Sequence, residues 1–408
     1  MPTPFQSLAV AGTRPDADGV TGLAVFATDS SGNQLIEEYF GRSSTIKSDK
    51  IGKDSVFWIY SITKTITAIA ALQCVERGQI KLDDEVYDVL PELKDFEVLG
   101  HDQSGNVTLH PHKEKITLRH LLSHTSGVGV DVFDPRLQAW RMSRGEHPQA
   151  FSGDSKKAYT IPLLFEPGHS WAYGGGVEWA GILVERLNKM KLGEYMKTNI
   201  FEPLGMNSTT FHPDRDTAIK ERLVETSTRI SDGTLVPMEG PYPAVTEDDS
   251  GAMGLVSSVP DLAKLTNDLL QTKPTLLSEE SLKELFSPQF SADSSSAGML
   301  AYGAVSLSYE NSFEIRILTD SKMMYGRLIG EGYDPSKVGQ APGAYFIKED
   351  TRILPGGTLV MTGIPNLVWF VNRAKGIGGF YASAIMPPDD AKSTELIQEF
   401  LKEVFIGK

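Results

Sequence analysis

Residues 54–78 read DSVFWIYSITKTITAIAALQCVERG. The first part is apolar and β-prone. The second, 62–77, carries almost no charge before Glu76. Such a segment predicts a helix enclosed on most sides, and Gly78 can terminate it. At the junction stand Ser61-Ile62-Thr63-Lys64. Positions three apart share a helical face, so the Ser61 hydroxyl and the Lys64 amine can meet. A serine needs a neighbouring base to become a nucleophile. A lysine whose pKa is depressed by its surroundings can be that base. The first turn of a helix also favours a developing anion. A central helix presenting this pair predicts a catalyst that forms acyl-enzymes.

Two further pieces would complete the site. The first relays protons, and Tyr173 in SWAYGGGVEWAG (170–181) suits it. The three glycines that follow predict a loop where backbone approaches a ligand closely, and a helix over 177–188 comes next. A phenol beside a lysine ammonium favours its phenolate form and can act as a base. The second piece is an oxyanion hole, which needs two backbone N–H groups. Ser61 N–H supplies one. Ile364 N–H, after Met361-Thr362-Gly363 on a C-terminal strand, supplies the other. Trp171, Gly174, Gly175, Thr362 and Gly363 are the expected substrate contacts.

The order Ser-x-x-Lys, tyrosine motif, Thr-Gly strand resembles the penicillin-binding-protein and class C β-lactamase-like serine hydrolases. ITLRHLLSHTSGV (116–128) and GAMGLVSSVPDLAKL (251–265) are similar to recurrent segments of that family. ALQCVERG, YGGGVEWAGILVER, PLGM and GIPNLVW resemble its fungal, lovastatin-type acyltransferase branch. The resemblance spans nearly the whole chain and places Ser61, Lys64 and Tyr173 on catalytic positions. Two departures stand out. The β-lactamase branch has Tyr-x-Asn where this chain has Tyr173-Gly174-Gly175. It also has Lys or His before Thr/Ser-Gly, where Met361 stands here. Losing that amide and that cation disfavours carboxylate-bearing substrates and favours an ester or thioester.

Further along the chain, VTGLAVFATD (20–29) and NQLIEEYFG (33–41) flank Ser30-Ser31-Gly32 and predict a hairpin. GGTLVMTG, NLVWFVN and GGFYASAIM predict three C-terminal strands. The tail from 389 has helical spacing, with Asp389 or Asp390 as cap. Helices are also expected over 117–123, 193–200, 259–270 and 279–285. The implied fold is α+β, of β-lactamase/transpeptidase type. One antiparallel sheet built from both chain ends is flanked by helices, and a helical subdomain is inserted. The chain reads as a single catalytic domain over 1–408, with 1–60 and 290–408 as its α/β part and 61–289 as its mainly helical part.

Composition narrows the function classes. The chain has 408 residues, 40% hydrophobic and 23% charged, enough for a large core. A formal charge of −14 disfavours nucleic acid and anionic membranes as partners. The one cysteine, Cys74, falls on the enclosed helix and reads as a reduced core residue. No secretory leader is legible at the start, so a cytoplasmic protein is expected.

Several patterns imitate other chemistries. Gly168-His169-Ser170-Trp171-Ala172 imitates a nucleophile elbow, but Pro167 opposes the strand an elbow needs. His120 and His124 could share a face, yet no third ligand is legible, so they read as structural and no metal is expected. His110 and His112 (HPHKEK) read as solvated surface. Residues 174–176 lack phosphate-loop spacing. Trp58, Trp171, Trp179 and Trp369 fit a substrate pocket and core packing equally.

The expectation is therefore a cofactor-free serine acyltransferase acting on a small-molecule acyl donor and acceptor, with an acyl-carrier domain as one donor. The resemblance implies fungal, polyketide-type secondary metabolism. An ester hydrolase of the same family and a non-catalytic binding relative are the alternatives.

Overall fold

The N-terminal hairpin forms where its turn chemistry puts it. β1 (Gly22–Asp29) and β2 (Gln34–Gly41) pair antiparallel. Between them the Asp29 carboxylate accepts from the N–H groups of Ser31 and Asn33, each at 2.9 Å, and Gly32 takes φ +79°. This aspartate turn lets the chain reverse in four residues. In the computed structural model, residues 1–15, 18–102, 107–291, 294 and 334–407 are described. Part of the expected 290–408 segment, residues 295–333, lies outside them.

β1 is buried along almost its whole length because it also pairs with β13 (Ile377–Ala382), so both chain ends share one sheet. β12 (Leu367–Asn372) and β11 (Thr358–Gly363) follow. β10 (Ala344–Ile347) and β9 (Val338–Ala341) complete the antiparallel order β2-β1-β13-β12-β11-β10-β9. Helices cover both faces, as alternation along β12 shows. Trp369 donates to Thr266 Oγ1 (2.9 Å) of the Val259–Leu270 helix. Its neighbour Phe370 packs on the opposite side against Phe400 and Phe405 of the C-terminal helix, Ala391–Phe405. Asp390 caps that helix by accepting from Ser393 N–H (2.9 Å). Phe5 of α1 (Pro4–Gly12) joins the same cluster.

α2 (Thr63–Glu76) runs through the middle of the molecule. Every residue from 63 to 74 is buried, Lys64 and Cys74 included. Two details differ from expectation. Ser61 lies in a 3-10 turn (Tyr60–Ile62) just before α2 rather than in its first α-helical turn. The β-prone run before it becomes β3 (Val56–Trp58), which pairs with β8 (Val256–Ser258) and not with the large sheet. The segment 61–289, expected to be mainly helical, also carries short strands. It contains the hairpin β4 (Glu97–His101) and β5 (Val107–Pro111), and β6 (Ser227–Arg229) with β7 (Leu235–Pro237).

Among the described residues, no helix is long and apolar enough to cross a membrane.

Candidate active site

The chain bends sharply into Ser61. Tyr60 sits at φ +43°, a conformation that side chains of its size rarely adopt. Ile59 N–H donates to Leu255 O (3.0 Å), and Ile62 N–H donates back to Ile59 O (3.1 Å). The bend turns the end of β3 into α2 and leaves Ser61 partly exposed while its neighbours are buried.

Lys64 points back along α2 to Ser61, as three-residue spacing requires, with Nζ 3.2 Å from Ser61 Oγ. Nζ also donates to Ala252 O at 2.8 Å. The lysine is only 1% exposed. Burial pulls its pKa from 10.5 down to about 7, against the opposing charge of Glu178. Lys64 is therefore close to half-neutral near neutral pH, as a base must be.

Tyr173 lies over Lys64, its ring centroid 4.8 Å from Nζ. The ring is partly exposed but the hydroxyl is enclosed. Burial pushes the phenol above its usual range, and the Ser61 hydroxyl offsets part of that rise. Oη and Ser61 Oγ thus face each other, although no hydrogen bond of ordinary geometry joins them. In this state Tyr173 is a phenol, not the phenolate expected beside a lysine cation, because desolvation outweighs the attraction. The ring stacks on Tyr345 (centroids 6.1 Å apart) and meets His124 (4.8 Å) and Trp171 (6.2 Å).

His124 serves the site without being a metal ligand. Its Nδ1 accepts from Gly174 N–H at 3.1 Å, which fixes the backbone next to Tyr173. Burial and then Lys64 depress its pKa to about 3, so it stays neutral. Trp171 is buried, with its indole N–H on Gln340 Oε1 (3.3 Å).

The glycine run departs from expectation. Gly175 and Gly176 open the Gly175–Asn188 helix rather than a ligand-facing loop. A Cβ at Gly175 would lie 2.4 Å from Gly129 O, and one at Gly176 would lie 2.6 Å from Leu121 O. The close approach these residues permit is to the protein's own backbone. The end of β11 does approach the serine turn. A Cβ on Gly363 would stand 3.0 Å from Ile59 O, two residues before Ser61. Thr362 is buried, and Ile364 packs beside Tyr60, Tyr242, Ala252 and Met253.

The sequence reading missed Glu178. It belongs to the helix expected over 177–188, and its carboxylate is buried and accepts three hydrogen bonds. Its partners lie 23 to 74 residues away, so no local motif marks it. The only sequence signal is an acidic residue amid the apolar run GVEWAGILV.

The imitating motifs stay apart. Ser170 follows a turn in which Gly168 takes φ +82° and donates to Thr125 O, with no strand before it. His120 closes a capping box with Thr117. His110 is exposed on β5, whereas His112 reaches Leu93 O (3.2 Å) and is not simply solvated. Trp179 and Trp369 are core residues, with their N–H groups on Tyr159 O and Thr266 Oγ1. Among the described residues, no three His, Cys, Asp or Glu side chains gather as metal ligands. A polar cleft of about 710 Å³, bordered by Glu185, Arg186, Asp248 and Asp249, is lined by none of Ser61, Lys64 and Tyr173.

Comparison with known proteins gives the family. The β-lactamase family profile matches residues 9–402, and the chain belongs to that family. Acyltransferase calJ of Penicillium decumbens is 30% identical, over 91% of this chain and 86% of its own length. A lovastatin esterase of Penicillium rubens is 29% identical, over 96% and 95%. Among solved structures, simvastatin synthase from Aspergillus terreus superposes with a TM-score of 0.83 at 26% identity, covering 99% of this chain and 98% of that one.

Proposed function

We propose that this chain is a serine acyltransferase that moves an acyl group from a thioester or ester to an alcohol of a small secondary metabolite. The observation that carries the reading is the 3.2 Å approach of a desolvated Lys64 amine to Ser61 Oγ. Neutral Lys64 takes the Ser61 proton as Oγ attacks the donor carbonyl. The N–H groups of Ser61 and Ile364 receive the tetrahedral oxyanion. The C–S or C–O bond of the donor then breaks, and the proton passes to the leaving group through Lys64 and Tyr173. In the second half the same groups withdraw the acceptor's proton, the alkoxide attacks the acyl-enzyme, and Ser61 regains its proton. Trp171, Gly174, Thr362 and Gly363 are proposed to border the substrate; Gly175, expected beside them, lies against the Gly129 backbone instead. Met361 supplies no cation before Thr362-Gly363, which suits uncharged esters better than carboxylates. The relatives named as acyltransferases, and the neighbour named a synthase, support transfer. An acyl-carrier domain is a donor consistent with this chemistry.

Hydrolysis is the second reading, favoured by the esterase relative that matches almost the full chain. Both readings pass through the same acyl-enzyme. Intact mass after incubation with short-chain acyl thioesters tests it. Wild type gains one acyl mass, while Ser61→Ala stays unmodified, remains folded and loses at least about 10³-fold in turnover. Ser170→Ala acylates normally. An active Ser61→Ala free of wild-type enzyme sinks the mechanism.

A further inference from the structure

Glu178 has no part in the reaction as described, yet it is joined to it through one turn of backbone. Its Oε1 accepts from Ser155 Oγ (2.5 Å), and its Oε2 accepts from Ser250 Oγ (2.8 Å) and Ala252 N–H (2.9 Å). The other side of the same peptide segment faces α2. Ala252 O accepts from Lys64 Nζ (2.8 Å), and Gly251 O accepts from Thr67 Oγ1 (2.7 Å). Residues 250–252 are thus held between a carboxylate on one helix and a catalytic-site amine on another.

We propose that Glu178 is a positioning residue with two linked effects: through the 250–252 turn it fixes the carbonyl that aims the Lys64 amine at Ser61, and its buried negative charge, held by that same turn, sets how firmly the amine keeps a proton. This rests on the Ser61–Lys64 mechanism above. A neutral amine has two N–H bonds and one lone pair. With one N–H committed to Ala252 O, the lone pair has fewer directions left, and one of them is the Ser61 hydroxyl 3.2 Å away. If the carbonyl drifted, Nζ could turn its hydrogens toward Ser61 and cease to be a base. Short, charge-assisted bonds from three donors suit Glu178 to hold the turn. Among the described residues, no other acidic side chain bonds these three donors.

Glu178 also acts on Lys64 through its charge. Burial lowers the lysine pKa and Glu178 raises it, so Glu178 keeps the amine from becoming too weak a base. Reciprocally, burial raises the Glu178 pKa while its three donors and Lys64 lower it. The other titratable groups facing the pair contribute little charge that varies near neutrality. Tyr173 lies over Lys64, and Tyr159 and Tyr242 face Glu178; all three phenols are pushed up by burial. His124, on the Lys64 side, is held neutral. Asp248 accepts from the Ser155 N–H (3.1 Å) and pairs with Lys191, and Asp131 is paired with Arg141.

A merely structural carboxylate and this one differ in what they do to a pH profile. Glu178→Gln is the discriminating variant. Its amide oxygen can accept from Ala252 N–H and Ser250, while its NH2 donates to the Ser155 hydroxyl, which then turns to accept. The turn stays tied but the charge is gone. The readout is the rate at which a fluorophosphonate labels Ser61, followed by intact mass across pH. In that step an Oγ–P bond forms, the P–F bond breaks, fluoride leaves and the proton goes to Lys64. Removing the negative charge favours neutral Lys64. The acid limb of labelling in Glu178→Gln therefore moves to lower pH, with a melting temperature near that of wild type. A folded Glu178→Gln whose acid limb coincides with wild type, or moves up, overturns the proposal. Ser250→Ala removes one donor from Oε2, makes the carboxylate easier to protonate, and shifts the limb in the same direction by less. If Glu178→Gln fails to fold, an unmoved limb in Ser250→Ala overturns the proposal instead. Ser61→Ala separates the two levels. If it labels as fast as wild type, the serine mechanism itself fails. If it is silent while Glu178→Gln keeps the wild-type limb, only the role of Glu178 fails.

Discussion

Lys64 must be buried to be a base and must still exchange a proton. At about 7, its pKa lets it do both near neutral pH, whereas an exposed lysine would be locked in the ammonium form. The sign of the pH dependence follows. Below about 7 Lys64 carries a proton and cannot accept the one on Ser61; above it the amine is free. kcat/KM for an uncharged ester should rise through pH ~7 and then level off. Tyr173 should cause no fall below pH ~10, because burial holds its phenol above the ordinary range. A profile measured with a substrate that does not titrate checks this, and an acid limb near 4 or 5 would implicate a carboxylate instead. The Ser61–Lys64 pair was legible in the sequence because three-residue spacing on a helix is local geometry. Tyr173 was legible through its motif. His124 and Glu178 were not read as part of the site, because each acts through backbone of a distant segment, Gly174 for one and Ala252 for the other.

At the scale of elements, α2 carries a cost that the role proposed for Lys64 accounts for. Its residues 63–74 are all buried, and one of them is a lysine. Holding the Lys64 pKa at about 7 against 10.5 in the unfolded chain corresponds to roughly 5 kcal/mol of lost stability at low pH. Below pH 7 both states bind the proton and the deficit is complete. Between 7 and 10.5 the folded state has released it while the unfolded state keeps it, so the deficit shrinks as pH rises. Lys64→Met should therefore raise the melting temperature, and by more at about pH 6 than at about pH 9. The gain is partly offset because Ala252 O loses its donor, at about 1–3 kcal/mol. A difference in melting temperature that does not narrow with pH would count against a buried, titrating Lys64. The stretches 259–270 and 279–285 were legible to the residue because their caps and apolar spacing agree, as with Ser258 before the first and Ser278 before the second. α1 was overlooked although Thr3 and Gln6 form a capping box, because the first residues were weighed only as a leader. β9 and β10 are four residues each, too short for alternation to register. β5 is exposed along its whole length, so no buried face alternates along it to mark a strand.

Across the whole molecule, the residues proposed for catalysis come from both the sheet and the helices around it. The sheet contributes the end of β11, where Gly363 abuts the backbone leading to Ser61. The helical part contributes Ser61, Lys64 and Tyr173. Acceptor binding beside Ser61 is what separates a transferase from a hydrolase. Water stands at about 55 M, so an alcohol wins only if its effective molarity on the acyl-enzyme exceeds that; well-held groups reach on the order of 10⁵ M. The acceptor must therefore be gripped by many contacts, and small alcohols should lose to water. With an acyl thioester donor and a panel of alcohols of increasing size, the ratio of ester to free acid should rise with the apolar area of the acceptor. It should exceed one for bulky polycyclic alcohols and stay below one for methanol at equal concentration. The acylation rate should be the same throughout, since the donor half-reaction precedes the acceptor. Free acid dominating with every acceptor, while the acyl-enzyme still forms and turns over, would assign this chain to the esterase side of its family. The Ser61 chemistry would survive that outcome, and the transfer reading would not.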